Sequence, residues 1–172
     1  ELGAVSYEEL VYEGYAPGGV AVLVDVLTDN KNRAAADVRN IFNKNGGNLG
    51  TTGSTSRMFE RKGVIEYDAE KVSEDDVMSV AVEAGAEDVV NEDGVITVTT
   101  DPASFDAVLE ALQSKEWETL SAAVSMVPFN YTAVDAETAK KVQKLLDKLE
   151  ENDDVQNFYS TVEYPEDFDP EA

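Results

Sequence analysis

The sequence contains no cysteine and no histidine. The first absence excludes disulfides, thiolate metal sites and cysteine nucleophiles; the second excludes every imidazole-based triad and histidine ligand set. No run of eighteen apolar residues is available to span a membrane, and the N-terminus lacks the pattern of a signal peptide. Positive charge is scarce as well: thirteen Lys and Arg face thirty-six Asp and Glu, a net of −23. A chain so acidic does not wrap DNA through its overall charge. A soluble, cytoplasmic protein is the expectation.

The chain is nonetheless rich enough in core formers to fold. Its 172 residues are 42% apolar, with seven Tyr and six Phe, enough for one large or two small domains. The scarce positive charge is also unevenly placed. Residues 31–62 (KNRAAADVRNIFNKNGGNLGTTGSTSRMFERK) hold Lys31, Arg33, Arg39, Lys44, Arg57, Arg61 and Lys62 against only Asp37 and Glu60. Everything outside that stretch carries six bases against thirty-four acids. A basic helix and glycine loop in an acidic protein points to a surface facing nucleic acid; a solvated helix face beside a loop is the plainer alternative.

Read in order, residues 7–15 alternate as a strand, with Leu10, Tyr12 and Gly14 on one face. Ala16-Pro17-Gly18-Gly19 is a tight turn, and residues 20–27 are a strand buried on both faces. Thr28-Asp29-Asn30 caps a helix over 31–45 whose inner stripe is Ala34/Ala35, Val38, Ile41 and Phe42. Gly46-Gly47 ends it in a left-handed C′ position, and a polar loop follows. Residues 58–60 and 63–67 are expected as two short extended pieces meeting at a basic turn, Arg61-Lys62-Gly63.

Residues 64–127 then follow the order βαββαβ of a ferredoxin-like unit. Strands are predicted at 64–67, 86–90, 95–99 and 117–127, the middle pair joined by an Asn91–Gly94 turn. Ser73-Glu74-Asp75-Asp76 reads as a capping box for a helix carrying Val77, Val80, Ala81 and Ala84. Asp101-Pro102 starts a second helix with Phe105, Val108, Leu109 and Leu112 inside. From Asp135 a longer helix buries Val142, Leu145, Leu146 and Leu149 and wets Lys140, Lys141, Lys144 and Lys148. A strand at 155–162 closes the chain before an acidic, fraying tail, residues 163–172. The last helix and strand cannot bury their apolar faces alone. The expected fold class is therefore α+β: a discontinuous sheet domain (1–63 with 128–172) interrupted by the ferredoxin-like insertion (64–127).

The glycine loop GGNLGTTGS fits no nucleotide-binding pattern. No lysine follows Gly50 or Gly53 as a P-loop requires, and the loop leaves a helix instead of opening one. It reads as a connection, or as a source of contacts from Gly46, Gly47, Asn48, Gly50, Thr51, Thr52 and Gly53 to a nucleic-acid backbone. The acid clusters 74–76 and 150–154 read as a helix first turn and a turn, not as metal or paired-carboxylate sites. Tyr7, Tyr12 and Tyr15 could stack bases or pack across strands. Nothing brings together nucleophile, base and oxyanion site, so no catalytic residue, metal or cofactor is assigned.

The segment YEGYAPGGVAVLVDVLTDNKNRAAADVRNIFNKNGGNLGTTGSTSRMFERKG closely resembles the signature region of the YebC/PmpR family, which includes the mitochondrial translational activator of cytochrome oxidase. AVSMVP (123–128), DAETAKKVQKLLDKLE (135–150) and DDVQNFY (153–159) extend the resemblance over essentially the whole chain. The resemblance implies three domains, of which this chain carries the last two and lacks a basic N-terminal helical one. It further implies a non-enzymatic regulator of gene expression, contacting DNA as a transcriptional regulator or ribosomal RNA as a ribosome-associated translation factor. For a mitochondrial homologue the compartment would be the matrix. The alternative is an acidic module docking on a basic protein partner such as a ribosomal protein.

Overall fold

A computed structural model describes residues 6–166 and Phe168. The chain divides into two compact units, one comprising residues up to Phe59 together with those from Pro128 onward, the other Glu60–Val127.

The first unit is built on the hairpin of β1 (Glu8–Ala16) and β2 (Val20–Thr28), whose nine-residue register runs from Glu8↔Thr28 to Ala16↔Val20. The turn between them places both Gly18 and Gly19 at positive φ, 82° and 80°. Helix α1 (Lys31–Lys44) starts where the Asn30 side chain accepts the Arg33 amide at 3.0 Å. It stops where Gly46 turns left-handed (φ 82°) and the Gly47 amide returns to the Phe42 carbonyl at 2.8 Å. The short β3 (Asn48–Leu49) then pairs with β1.

After the second unit, β8 (Thr132–Ala133) leads into α4 (Ala136–Glu151), capped by Asp135 accepting the Thr138 amide at 2.8 Å. Strand β9 (Val155–Ser160) completes an antiparallel sheet in the order β3-β1-β2-β9, and β10 (Val162–Glu163) pairs in parallel with β8. One core joins Val20, Val22, Val24 and Val26 of β2 to Val38 and Phe42 of α1 and to Val142, Leu145 and Leu149 of α4. The apolar stripes of both helices therefore close over the same sheet face.

The second unit contains most of β4 (Phe59–Asp68), then α2 (Glu74–Ala84), β5 (Asp88–Glu92), β6 (Val95–Thr100), α3 (Phe105–Gln113) and β7 (Ser121–Pro128). Its sheet order, β5-β6-β4-β7, is that of a ferredoxin-like βαββαβ fold. Ile65, Tyr67, Ile96 and Val98 form its core with Val77 and Ala81 of α2 and Val108 and Leu112 of α3. Asp93 and Gly94, both at positive φ, make the two-residue turn between β5 and β6.

Four local expectations are corrected. Arg61-Lys62-Gly63 is not a turn: β4 runs through it unbroken, and Gly63 pairs with Thr100 of β6. The glycine is there for clearance, since a Cβ would run into the Thr100 hydroxyl and the Phe105 side chain. The last strand of the second unit starts at Ser121, not at 117. Trp117 instead turns edge-on to Tyr67, with ring centroids 6.2 Å apart. Ser73 takes the N-cap backbone geometry of α2, but its hydroxyl makes no capping hydrogen bond, so the capping box does not form. Within the tail, Tyr164 donates to the Gln143 side chain of α4 at 2.6 Å and stacks on Phe168 at 4.9 Å, so it is anchored and not frayed. The rest of that expectation, at Asp167 and 169–172, lies outside the described residues.

Candidate nucleic-acid interface

The seven basic residues of the stretch 31–62 fall into two classes. Arg33 is committed internally. Its guanidinium donates to Asp154 at 2.9 and 3.1 Å and to Asp29 at 3.2 Å, tying the start of α1 to the α4–β9 turn. The hydrogen bond it donates to Asp154 chiefly holds its pKa above the ordinary value. Lys62, on β4, is likewise held by Glu87 at 2.7 Å and Glu60 at 3.6 Å, and the bond to Glu87 raises its pKa. Lys31, Arg39 and Lys44 on α1, Arg57 and Arg61 are exposed and form no ion pair among the described residues. Lys31, Arg39, Lys44 and Arg57 belong to the first unit, whereas Arg61 and Lys62 belong to the second.

Lys44 does not stand alone. With Asn45 and Gly46 it lines a groove of about 290 Å³ whose other side is Lys141 and Lys144 of α4. Sequence reasoning placed those two lysines on the wet side of α4 without linking them to Lys44. The available signal was their i, i+3 spacing, which puts both on one helix face. Three ammonium groups on one concave surface attract a polyanion, and among the described residues no acid lines that groove.

The glycine loop is organised from beneath by a carboxylate. Glu13 alternates onto the face of β1 opposite Tyr12 and Gly14, is 6% exposed, and lies under the loop. It accepts the amides of Gly53 (2.7 Å), Thr55 (2.9 Å) and Ser56 (2.7 Å), and its own carbonyl takes the Gly50 amide at 2.8 Å. Burial pushes the Glu13 carboxyl up, but the three amides outweigh it and hold its pKa below the ordinary carboxylate value. Tyr15 adds a hydroxyl bond to the Ser54 carbonyl at 3.1 Å, so this ring supports the loop. Tyr12 packs against the first core and Tyr7 is exposed.

These bonds decide what the loop can offer. The amides of Gly47, Gly50 and Gly53 are spent within the fold, on Phe42 and Glu13. The exposed side chains of Asn48, Thr51 and Thr52 remain at the surface, and Gly46 lines the lysine groove. Glu13 itself escaped the sequence reading, where it is one acid among many in an alternating strand.

Comparison with known proteins gives this geometry a context. Residues 7–162 match the family model described as the TACO1/YebC second and third domain. A "probable transcriptional regulatory protein" of Treponema denticola is 69% identical over 169 residues, covering 98% of this chain and 68% of the relative. One of the same description from Clostridium novyi is 56% identical over 171 residues, covering 98% and 69%. The crystal structure of a conserved hypothetical protein from Aquifex aeolicus superimposes with a TM-score of 0.86 at 46% identity, covering 97% of this chain and 69% of that one.

Proposed function

Because the chain belongs to the TACO1/YebC family, we propose that it is a non-enzymatic regulator of gene expression acting in the cytoplasm by direct contact with nucleic acid, DNA or ribosomal RNA. The names of its relatives support a regulatory role. The observation that carries the reading is the convergence of Lys44, Lys141 and Lys144 on one groove in a chain of net charge −23. Lys31, Arg39, Arg57 and Arg61 are further contacts, with Asn48, Thr51 and Thr52 offering neutral ones. Arg33 and Lys62, engaged with carboxylates, contribute to folding and not to binding.

The test is a salt titration of binding to a DNA duplex and to a ribosomal RNA fragment. Neutralising Lys44, Lys141 and Lys144 together should weaken binding to either polymer and lower the slope of log K against log salt by about three. Unchanged affinity and slope would remove the proposal.

The second reading is a protein-docking module. It has its own support: residues 60–127 carry seventeen acids against four bases, and Met78 and Val82 stand exposed on α2. Association with a basic ribosomal protein that survives nuclease treatment and is lost in a Met78→Ser/Val82→Ser variant would favour it.

A further inference from the structure

A second concave surface in the first unit has a different character. Arg57, Met58, Phe129, Tyr131, Thr132 and Thr161 surround a groove of about 490 Å³. Phe129 and Tyr131 are 59% and 58% exposed, and Met58 is 38% exposed. Two aromatic rings so open to water, one residue apart and beside a methionine, form an apolar patch of the kind that marks an interaction site. Their exposure is set by the backbone. The Phe129 amide is fixed to the Met58 carbonyl at 3.0 Å, and the Thr132 amide to the Thr161 carbonyl at 2.7 Å. Thr161, itself buried, holds the Ala21 amide of β2 at 3.0 Å, so one wall of the groove is anchored to the sheet.

The charge at this groove selects its occupant. Among the described residues, Arg57 is the only charged one lining it, and no carboxylate does. The Arg57 Nε is fixed to the Gly53 carbonyl at 3.2 Å, which holds the guanidinium at the rim, and none of the described residues takes its terminal nitrogens. In a protein of net charge −23, an aromatic groove with an unopposed guanidinium matches a ligand carrying both a flat apolar face and a negative charge. An unpaired nucleotide is such a ligand: its base stacks on an aromatic ring while the adjoining phosphate takes the guanidinium. Duplexes keep their base faces covered. Folded RNA presents unstacked bases in loops and bulges.

We propose that this groove is a binding site for an unpaired nucleotide of single-stranded RNA, with Phe129 and Tyr131 as the stacking platform and Arg57 as the phosphate contact. It rests on the reading that the chain contacts nucleic acid, and it adds a site that distinguishes single strands from duplexes.

The experiment follows short RNA oligomers carrying 2-aminopurine, whose fluorescence is quenched on stacking. It uses the intact 172-residue chain, a Phe129→Ala/Tyr131→Ala variant, a Phe129→Tyr variant and the Lys44/Lys141/Lys144 neutralised variant. Circular dichroism and urea midpoints confirm that each variant is folded, which the exposure of these side chains favours. The wild type is expected to quench the single-stranded probe. Removing both rings should weaken that binding by about tenfold or more while leaving duplex RNA binding unchanged, and Phe129→Tyr should retain it. If the ring variant binds single strands as the wild type does while lysine neutralisation weakens both polymers, the groove proposal fails and the basic-surface reading stands. If neither variant changes anything, both fail. Equal affinity for the matching DNA strand would overturn the assignment to RNA. Occupation by a proline-rich peptide with no RNA competition would overturn it in favour of a protein ligand.

Discussion

The Glu13 carboxylate accepts the Thr55 amide at 2.9 Å across forty-two residues of sequence, and the Thr55 hydroxyl lies within 3.3 Å of the same oxygen. With Gly53 and Ser56 supplying two more amides, a single buried acid sets the course of the loop that carries Arg57. Replacing Glu13 by Ala strands three donors beneath the loop and should cost about 3 kcal/mol of stability. Glu13→Gln, which keeps one acceptor oxygen, should cost less. Urea denaturation of the three proteins checks both magnitude and order.

The same carboxylate fixes a pH dependence. Its folded pKa lies below the unfolded one, so the folded state binds its proton less readily. The stabilisation it provides is therefore complete above the ordinary carboxylate range and is lost as the pH falls through the depressed folded value. The stability difference between wild type and Glu13→Gln should be constant near neutrality and shrink in acid. Denaturation midpoints measured at several pH values test this, and a difference that grew on acidification would contradict the sign.

The two classes of cation predict opposite behaviour. Arg33→Ala should lower stability only slightly, as expected for a largely exposed ion pair, and leave the salt slope of nucleic-acid binding unchanged. Lys44→Ala should leave stability almost unchanged and lower the slope by about one. Running both measurements on both variants separates structural charge from binding charge.

Gly47 lies against β1. A Cβ there would collide with the Tyr15 carbonyl oxygen, which is backbone and cannot step aside, and would crowd Leu145. Gly47→Ala should destabilise the first unit by about 2 kcal/mol. The measurement is a urea midpoint, with amide exchange at Asn48 and Leu49 as the local report.

In the second unit the Tyr67 hydroxyl is buried and meets no hydrogen-bond partner among the described residues. Burial raises its pKa, as expected for a phenol kept from water. Tyr67→Phe removes that polar atom while keeping the ring that Trp117 packs against. Stability should be unchanged or rise by up to about 1 kcal/mol, read as a shift in thermal midpoint.

The helices and most strands were legible because their signals are local. Asn30 and Asp135 cap where an oxygen precedes a periodic run, and Val38 with Phe42, or Val142 with Leu145 and Leu149, repeat at helical spacing. What escaped depends on residues far apart. Gly63 looks like a turn residue until β6 and Phe105 lie against it. Arg33 looks like a binding residue until Asp154, 121 positions away, reaches it. The Lys44 groove needs α4 to pack beside α1 before its three lysines meet. Phe129 and Tyr131 carry no periodicity to read; their importance is visible only in their exposure.

The pairing of β2 with β9 has a consequence for how the protein is made. Val22 cannot meet Ser160, nor Val24 meet Phe158, until the whole second unit and α4, which lie between them in the sequence, have been made. The ferredoxin-like unit is contiguous and can close as soon as it emerges. The order of synthesis is thus not the order of completion: the hairpin and α1 are made before the second unit, yet α4 and β9, which complete their core, are made after it. During that interval part of the apolar face of β2 lacks its α4 cover, and a chaperone that engages it should bind before α4 is translated and release after.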